Sequence, residues 1–223
     1  MYQYVKRALD LIMAIVLMII FIIPMIIIGI LIKLDSKGPV FFKQERTGKH
    51  GKTFLLYKFR SMAVDNDVHD FSKADQHTRV GDVLRKLSLD ELPQIINILK
   101  GEMSFIGPRP WIPDYYENMN ENQRHRNDVL PGITGLAQAK GRNNISIISK
   151  INYDLEYVKN FSLAQDIKVF FLTIKTVLSK EGADAGKNTI QTELETLKTQ
   201  ELKVSDIKEL EKKLDQKEAE QHA

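Results

Sequence analysis

The sequence predicts an α+β protein with an apolar N-terminal helix, a mixed central part and a charged helical tail. Three features favour this class: an uncharged apolar run near the start, two aromatic-rich segments around a glycine-rich turn, and two later amphipathic segments. The 223 residues suffice for one domain of about 150 residues with additions. A net charge of +3 gives no argument for a nucleic-acid partner, and the absence of cysteine excludes disulfides and thiolate chemistry.

The apolar run extends from Leu11 to Ile32 without a charged side chain. As a helix it is about 33 Å long, close to the thickness of a bilayer's hydrocarbon core. Charged residues follow directly, without the small residues of a signal-peptide cleavage site, so we expect the segment to stay in the membrane. Pro24 predicts a kink or a break at the midpoint. Basic residues flank both ends, which allows a full span or a re-entrant path; composition alone favours the span.

The segment VFFKQERTGKHGKTFLLYKFRSM, residues 40–62, predicts a β-hairpin. Lys58 and Arg60 lie two residues apart at its exit, and so on one face if the strand continues. This pair is either part of a binding site or a solvated strand edge. Residues 65–79 predict a polar loop, whose aspartates do not match the EF-hand spacing, and the five histidines show no zinc-binding spacing.

The stretch SLDELPQIINILKGEMSFIGPRP, residues 88–110, places Asp90 beside Glu91 before an amphipathic segment. The apolar spacing predicts a helix with Asp90 as its N-cap and Gly101 as its stop. Two interpretations stay open: the acids cap the helix, or they form a phosphoryl-transfer site. Arg109 lies between two prolines, and its restricted backbone limits the entropy lost when it binds an anion.

A second amphipathic helix is predicted from the capping box of Ser162 and Gln165. Its apolar face is typical of a helix in a membrane interface and equally of a helix packed on a core. Residues 188–223 are rich in Lys, Glu and Gln, with apolar residues at irregular heptad-like spacing. They predict a solvated helical tail without a catalytic role, and self-association into a homo-oligomer is left open.

Several basic residues could surround the two acids: Lys58, Arg60, Arg85, Arg109, and Arg142 in PGITGLAQAKGRNN. If the fold gathers them, the site would suit a diphosphate bound with Mg²⁺. One carboxylate would bind the metal, and the other could attack phosphorus to form a reactive acyl phosphate. The sequence by itself does not show that these groups meet.

The chain resembles the monotopic phosphoglycosyl transferases of the bacterial sugar transferase family. The matching motifs, in family order through about residue 180, are KRALDLIMA, KLDSKGPVFFKQERTGKHGKTFLLYKFRSM, RKLSLDELPQIINILKGEMSFIGPRP, PGITGLAQAKGRN and YDLEYVKNFSLAQDIKVFFLTI. The resemblance implies transfer of a sugar-1-phosphate from a UDP-sugar to undecaprenyl (polyprenyl) phosphate, with release of UMP, as the first membrane step of capsule, exopolysaccharide or glycan assembly. It places the catalytic domain on the cytoplasmic face of the cytoplasmic membrane.

The resemblance also implies roles for single residues. Asp90 would be the nucleophile that forms a covalent phosphosugar intermediate, and Glu91 would help to hold Mg²⁺. The residues implied in substrate binding are Lys58, Arg60, Arg85, Arg109, Arg142 and Asp154.

The architecture implied by the resemblance has three parts. A re-entrant membrane helix over residues 1–37 replaces the span that composition favours. A small α/β catalytic domain with interfacial amphipathic helices covers residues 38–185, and the helical tail covers 186–223. The family usually has a serine before the helix-breaking proline, where this chain has Ile23, so we expect a differently stabilised bend.

Two other functions fit the residues. A non-catalytic membrane adaptor of a polysaccharide-assembly complex would need residues 188–223 and not Asp90. A metal-dependent phosphatase would use the same acids and release sugar phosphate to water, without a polyprenyl phosphate acceptor. No residue in the sequence distinguishes a hexose from an N-acetylated or deoxy sugar.

Overall fold

The computed structural model describes residues 2–63, 77–141, 145–178 and 190–199. Its helices and strands, in chain order, are α1 (Tyr2–Asp35), β1 (Phe41–Thr47), β2 (Thr53–Phe59), α2 (Arg79–Lys86), α3 (Gln94–Lys100), β3 (Ser104–Ile106), α4 (Pro113–Glu117), α5 (Glu121–Arg124), β4 (Gly132–Thr134), α6 (Leu136–Gly141), α7 (Ile147–Lys159), α8 (Leu163–Leu178) and α9 (190–199). This mixture of helix and sheet behind an apolar N-terminal helix confirms the predicted class at that level.

Helix α1 packs on the rest of the chain along one side. Ala14 contributes to a core cluster with Ile98 and Met103, and Ile32 contributes to another with Phe59 and Leu84. The other side exposes a continuous series of large apolar residues. Among the described residues, α1 is the only helix long and apolar enough to cross a membrane.

Polar contacts hold both ends of α1 to the same domain. Near its start, the Lys6 ammonium lies 2.6 Å from the carboxylate of Asp166, and the guanidinium of Arg7 donates to the carbonyl of Ile98 at 2.6 Å. Near its end, the guanidinium of Arg60 donates to the carbonyl of Ser36 at 2.8 Å. The domain therefore contacts the beginning and the end of the apolar helix.

Strands β1 and β2 form the predicted hairpin. They pair antiparallel, from Phe41 opposite Phe59 to Thr47 opposite Thr53. A short 3₁₀ turn at Lys49–Gly51 connects them, and its last residue has φ of +76°, a conformation that glycine adopts without a steric penalty. The hairpin prediction is confirmed.

Helix α3 begins later than predicted. Ser88 has a left-handed backbone with φ of 56°, Leu89–Glu91 form a 3₁₀ turn, and Pro93 is the N-cap of α3. The helix ends at Gly101, in the left-handed conformation with φ of 86°, as predicted. The prediction that Asp90 is the N-cap is wrong, because Asp90 lies inside the 3₁₀ turn, three residues before the N-cap Pro93. The two acids are therefore not explained by capping.

Strands β3 and β4 form a short parallel pair that brings two distant loops together. Ser104 lies opposite Gly132, and Ile106 lies opposite Thr134. A Cβ added to Gly132 would lie 2.1 Å from the backbone nitrogen of Gly107, so this approach requires glycine. The pairing positions the loop that carries Arg109.

Helix α8 begins at the predicted place and exposes its apolar face. The hydroxyl of Ser162 accepts a hydrogen bond from the backbone N–H of Gln165 at 3.3 Å, which is one of the two bonds of a capping box. Val169 is buried in a cluster with Leu136 and Tyr157. The apolar residues identified from the sequence are all exposed, by 41% to 77%: Ile167, Phe170, Phe171, Ile174, Val177 and Leu178. This face is not packed on the core.

Helix α9 is part of the tail and is not solvated along its whole surface. Leu197 is 1% exposed and packs with Trp111, Tyr115 and Ile151. Within residues 190–199, the expectation of a solvated tail therefore fails for the face that carries Leu197, whereas most of the other residues are exposed. The remainder of the predicted tail, and residues 65–76 of the predicted polar loop, lie outside the described residues.

Candidate active site

A cavity of about 610 Å³ opens between the hairpin, the 3₁₀ turn of the two acids, the loop after β3 and the C-terminal helices. Its lining includes six of the site residues singled out from the sequence: Lys58, Arg85, Asp90, Glu91, Arg109 and Asp154. The fold therefore gathers side chains that are up to 96 positions apart in the chain, from Lys58 to Asp154.

The two acids have different contacts. Oε1 of Glu91 accepts hydrogen bonds from the ammonium of Lys58 at 2.7 Å and from the guanidinium of Arg109 at 3.1 Å. Asp90 lies 3.7 Å from the same ammonium. The side chains of Asp90 and Glu91 are only 14% and 20% exposed, so these charges are poorly screened by water.

Local structure explains why adjacent acids can face one cavity. Ser88 has a left-handed backbone conformation, which bends the chain sharply before the 3₁₀ turn. Both carboxylates belong to this tightly wound turn. Lys58 comes from β2, where side chains alternate and its neighbour Phe59 is buried in the core. The lysine is thus directed to the cavity by the strand that anchors the core.

The surroundings shift the pKa values of the two acids in opposite directions. Burial alone would raise the pKa of Glu91, but the positive charges and hydrogen bonds of Arg109 and Lys58 outweigh it and lower that pKa to about 2. Burial raises the pKa of Asp90, with a further contribution from the charge of Glu91, against the attraction of Lys58 and Arg85. The surroundings therefore stabilise the ionised form of Glu91. They stabilise the ionised form of Asp90 less well.

Arg85, at the end of α2, adds a further cation to the cavity lining. One of its guanidinium nitrogens lies 3.2 Å from the ring nitrogen Nε2 of His77. No described carboxylate forms an ion pair with Arg85 within 4.0 Å, so its charge is available to an anion in the cavity.

Arg60 lies away from the cavity. It is 5% exposed and donates to the carbonyls of Ser36 and Lys37 at the C-terminal end of α1, where a cation stabilises the helix dipole. Strand β2 ends at Phe59, so the alternation that would place Arg60 beside Lys58 does not continue. The expectation that the two share one site is wrong. Arg142 lies outside the described residues.

Asp154 supports the site through a buried ion pair. Its carboxylate accepts from Arg126 at 2.7 Å and 2.9 Å, and both side chains are 1% exposed. Arg126 also donates to the backbone carbonyl of Arg109 at 2.7 Å and lies over the ring of Trp111. Burial raises the pKa of Asp154, against the attraction of Arg126. The pair thus fixes the backbone from which Arg109 extends.

Two arginines were missed from the sequence. Arg126 has no local pattern that would link it to Asp154, 28 positions later. Arg46 lines the cavity from β1 and donates to Gln44, two residues earlier on the same strand face, and to the carbonyl of Pro110 at 3.4 Å. Burial and the like charge of Arg109 lower the pKa of the Arg46 guanidinium to about 10. Arg46 and Gln44 are two positions apart on β1, so strand alternation places both side chains on the same face. This spacing could have indicated Arg46 from the sequence.

The donor set fits a magnesium ion that takes most of its ligands from a substrate. Within the described ranges, three or more His, Cys, Asp or Glu side chains do not cluster in a way that could hold a metal by themselves. Mg²⁺ commonly uses one or two carboxylates and completes its shell with phosphate oxygens and water. Both cation contacts of Glu91 use Oε1. The second oxygen of Glu91, Oε2, is therefore the one suited to a metal.

Comparison with known proteins gives a consistent match. Residues 1–180 match the model of the family described as "Bacterial sugar transferase". The chain is 45% identical over 179 residues to the "Uncharacterized sugar transferase EpsL" of Bacillus subtilis, covering 79% of this chain and 89% of that protein.

Two further relatives carry more specific names. The chain is 42% identical over 194 residues to the "UDP-N-acetylgalactosamine-undecaprenyl-phosphate N-acetylgalactosaminephosphotransferase" of Aeromonas hydrophila, covering 82% of this chain and 45% of that protein. It is 38% identical over 200 residues to the "Undecaprenyl-phosphate galactose phosphotransferase" of Salmonella typhimurium, covering 81% and 42%. The chain thus spans less than half the length of these two relatives.

Proposed function

The chain belongs to the bacterial sugar transferase family, and on this premise we propose that it transfers a sugar-1-phosphate from a UDP-sugar to undecaprenyl phosphate and releases UMP. The names of the Aeromonas and Salmonella relatives support this donor and acceptor. The observation that carries the proposal is the pair Asp90 and Glu91, held with Lys58 and Arg109 in one cavity. Such a reaction serves polysaccharide or glycan assembly.

The reaction would proceed in two displacements at one phosphorus atom. A carboxylate oxygen of Asp90 attacks the phosphorus that bears the sugar, and the bond from this phosphorus to the oxygen of the UMP phosphate breaks. UMP leaves with the electron pair, and Asp90 becomes an acyl phosphate that carries the sugar. An oxygen of undecaprenyl phosphate then attacks the same phosphorus, which releases the Asp90 carboxylate and gives the lipid diphosphate sugar.

The cations would stabilise the charge that moves between these steps. Lys58, Arg85 and Arg109 line the cavity and can take up phosphate oxygens, with arginine able to bind two at once. Glu91 and the substrate's diphosphate would hold Mg²⁺, which supplies positive charge to the phosphate oxygens when bound. The carboxylate of Asp90 lies 3.7 Å from the ammonium of Lys58. It is therefore held less closely by this cation than the carboxylate of Glu91.

We expect Glu91→Gln to weaken the response to magnesium. The amide keeps the shape but loses the charge that attracts a hard cation, so the Mg²⁺ concentration for half-maximal UMP release should rise roughly tenfold or more. The measurement is UMP release against Mg²⁺ concentration at a saturating UDP-sugar. Glu45→Gln, an exposed acid on β1, is the control. An unaltered magnesium titration would count against Glu91 as a metal ligand.

For the membrane we propose a re-entrant α1 with both ends on the cytoplasmic side. Lys6 and Arg7 at its start and Arg60 at its end all bind to one domain. A helix that crossed the bilayer would carry its two ends to opposite sides, about 30 Å apart. The exposed apolar faces of α1 and α8 would then lie in one leaflet and its interface, which brings the cavity to the lipid phosphate.

Single-cysteine labelling tests this topology, since the chain has no cysteine of its own. Cysteine at Gln3, exposed before the apolar run, and cysteine at His50, exposed in the hairpin turn, should both react with a membrane-impermeant reagent in inside-out vesicles only. Both should be protected in intact cells. Labelling of the two positions from opposite sides would establish a full span and remove the re-entrant path.

A further inference from the structure

Helix α9 reaches the same cavity as Asp90 and Glu91. Ile190 and Glu193 line it together with Tyr115 and Lys150. Both α9 residues lie beyond residue 180, where the match to the family ends. An element outside the family's common part therefore forms part of the wall of the candidate active site.

Two kinds of contact fix α9 in place. Leu197 is buried against Trp111 and Ile147, which anchors the helix on the core. The Glu193 carboxylate accepts from the hydroxyl of Tyr115 at 2.6 Å and from the ammonium of Lys150 at 2.8 Å. Residues three or four positions apart share a helix face, so this rotation also presents Ile190 to the cavity.

The charge of Glu193 changes what this wall can bind. It neutralises Lys150, and the two side chains are 13% and 20% exposed, so the pair is partly shielded from solvent ions. The wall beside α9 thus presents a neutralised ion pair, a phenol and an aliphatic side chain. Such a surface suits an uncharged ring that carries hydroxyl groups, whereas Lys58, Arg85 and Arg109 suit phosphates.

Resting on the proposed function, we infer that α9 is the sugar-selecting wall of the donor site. The uridine and the diphosphate are the same in every UDP-sugar, and the sugar is the uncharged part that differs. Ile190 and Glu193 contact this sugar and determine which ring substituents fit. Neither residue takes part in breaking or forming the bonds to phosphorus.

Binding measurements can test this wall without turnover. Trp111 is the chain's single tryptophan, lines the cavity and packs with Leu197, so its fluorescence reports occupancy of the cavity and the docking of α9. In an Asp90→Asn background, which blocks the proposed chemistry, dissociation constants are measured for UDP, UDP-glucose and UDP-N-acetylglucosamine. Each is repeated with Ile190→Ala, Ile190→Phe and Glu193→Gln, and with Glu195→Gln as an exposed control on the same helix.

We expect opposite shifts from the two Ile190 variants. Ile190→Ala should favour the N-acetylated sugar over glucose by roughly tenfold relative to the parent, and Ile190→Phe should disfavour it by a similar factor, because one apolar contact discriminates on that scale. Glu193→Gln should alter the affinity for both sugar nucleotides. The affinity for UDP should stay unchanged in both Ile190 variants, whereas Glu193→Gln frees the Lys150 ammonium and should raise it. Every value for Glu195→Gln should stay unchanged.

The other outcomes overturn the inference. Equal changes for UDP and both UDP-sugars in the two Ile190 variants would make α9 a uridine-binding wall, and unchanged affinities in all variants would make it a packing element only. UMP release by the unmodified chain separates this inference from the proposed function. A chain that releases UMP while its α9 variants keep their sugar preference is a transferase whose selectivity lies elsewhere. A chain that neither releases UMP nor binds any UDP-sugar refutes both.

Discussion

Replacing Asp90 with asparagine should abolish UMP release, by about 10⁴-fold or more, because the amide cannot attack phosphorus and loss of a nucleophile is among the largest single effects in an enzyme. The replacement has nearly the same shape, so the cavity should persist. The measurement is UMP release from a UDP-sugar in membranes that contain undecaprenyl phosphate. In the absence of acceptor, labelled sugar phosphate should stay attached to the unmodified chain and not to the variant.

Asp114→Asn, an exposed acid on α4, is the matched control and should keep full activity. Unchanged turnover in Asp90→Asn would remove Asp90 as the nucleophile. The adaptor hypothesis gives the reverse pattern, in which Asp90→Asn keeps cellular function and deletion of residues 188–223 abolishes it. Release of sugar phosphate to water without acceptor would instead indicate the phosphatase.

Replacing Arg126 with methionine should lower the free energy of unfolding by about 3–5 kcal/mol, the usual cost of leaving one partner of a buried ion pair alone. Both side chains are 1% exposed, so solvent cannot compensate the charge of Asp154. The measurement is chemical denaturation in detergent, followed by circular dichroism. Arg124→Met, two residues earlier and exposed, should change the value by well under about 1 kcal/mol.

This loss should depend on pH with a defined sign. Burial raises the pKa of Asp154 above its ordinary value of 3.8, so the native state holds its proton more tightly than the unfolded chain. An acid of this kind costs stability as the pH rises from 3.8 through the raised pKa, and the cost shrinks as the pH falls. Without Arg126 the pKa rises further, so the variant should regain stability relative to the parent in mild acid. A pH-independent difference would contradict a charge-based origin.

The elements predicted correctly depend on local patterns. The hairpin follows from two aromatic runs and a glycine-rich turn, and the end of α3 follows from Gly101. The N-cap at Asp90 was wrong because Ser88 adopts a positive φ that no sequence rule for serine predicts. Arg60 was misplaced because the position where a strand ends is set by packing against α1, and not by the alternation inside the strand.

The site was partly predictable because several of its members lie in recognisable motifs. Lys58, Arg85, Asp90, Glu91 and Arg109 meet in one cavity, as the resemblance implies. The supporting ion pair of Arg126 and Asp154 joins segments 28 positions apart and has no periodic signature. The apolar spacing of α9 was visible, but the partner of that face is the surface around Trp111, which only the folded chain assembles.

Lys58 lies closer to Glu91 than to Asp90, and this difference matters for the second step of the proposed reaction. Once Asp90 carries the phosphosugar, its carboxylate charge is replaced by the charge on the attached phosphoryl oxygens, and Glu91 is the carboxylate that still contacts Lys58. The ion pair of 2.7 Å with Glu91 keeps the Lys58 ammonium beside the acyl phosphate. The same lysine would then attract the phosphate of undecaprenyl phosphate, so that one cation would serve first the UDP-sugar and then the lipid acceptor.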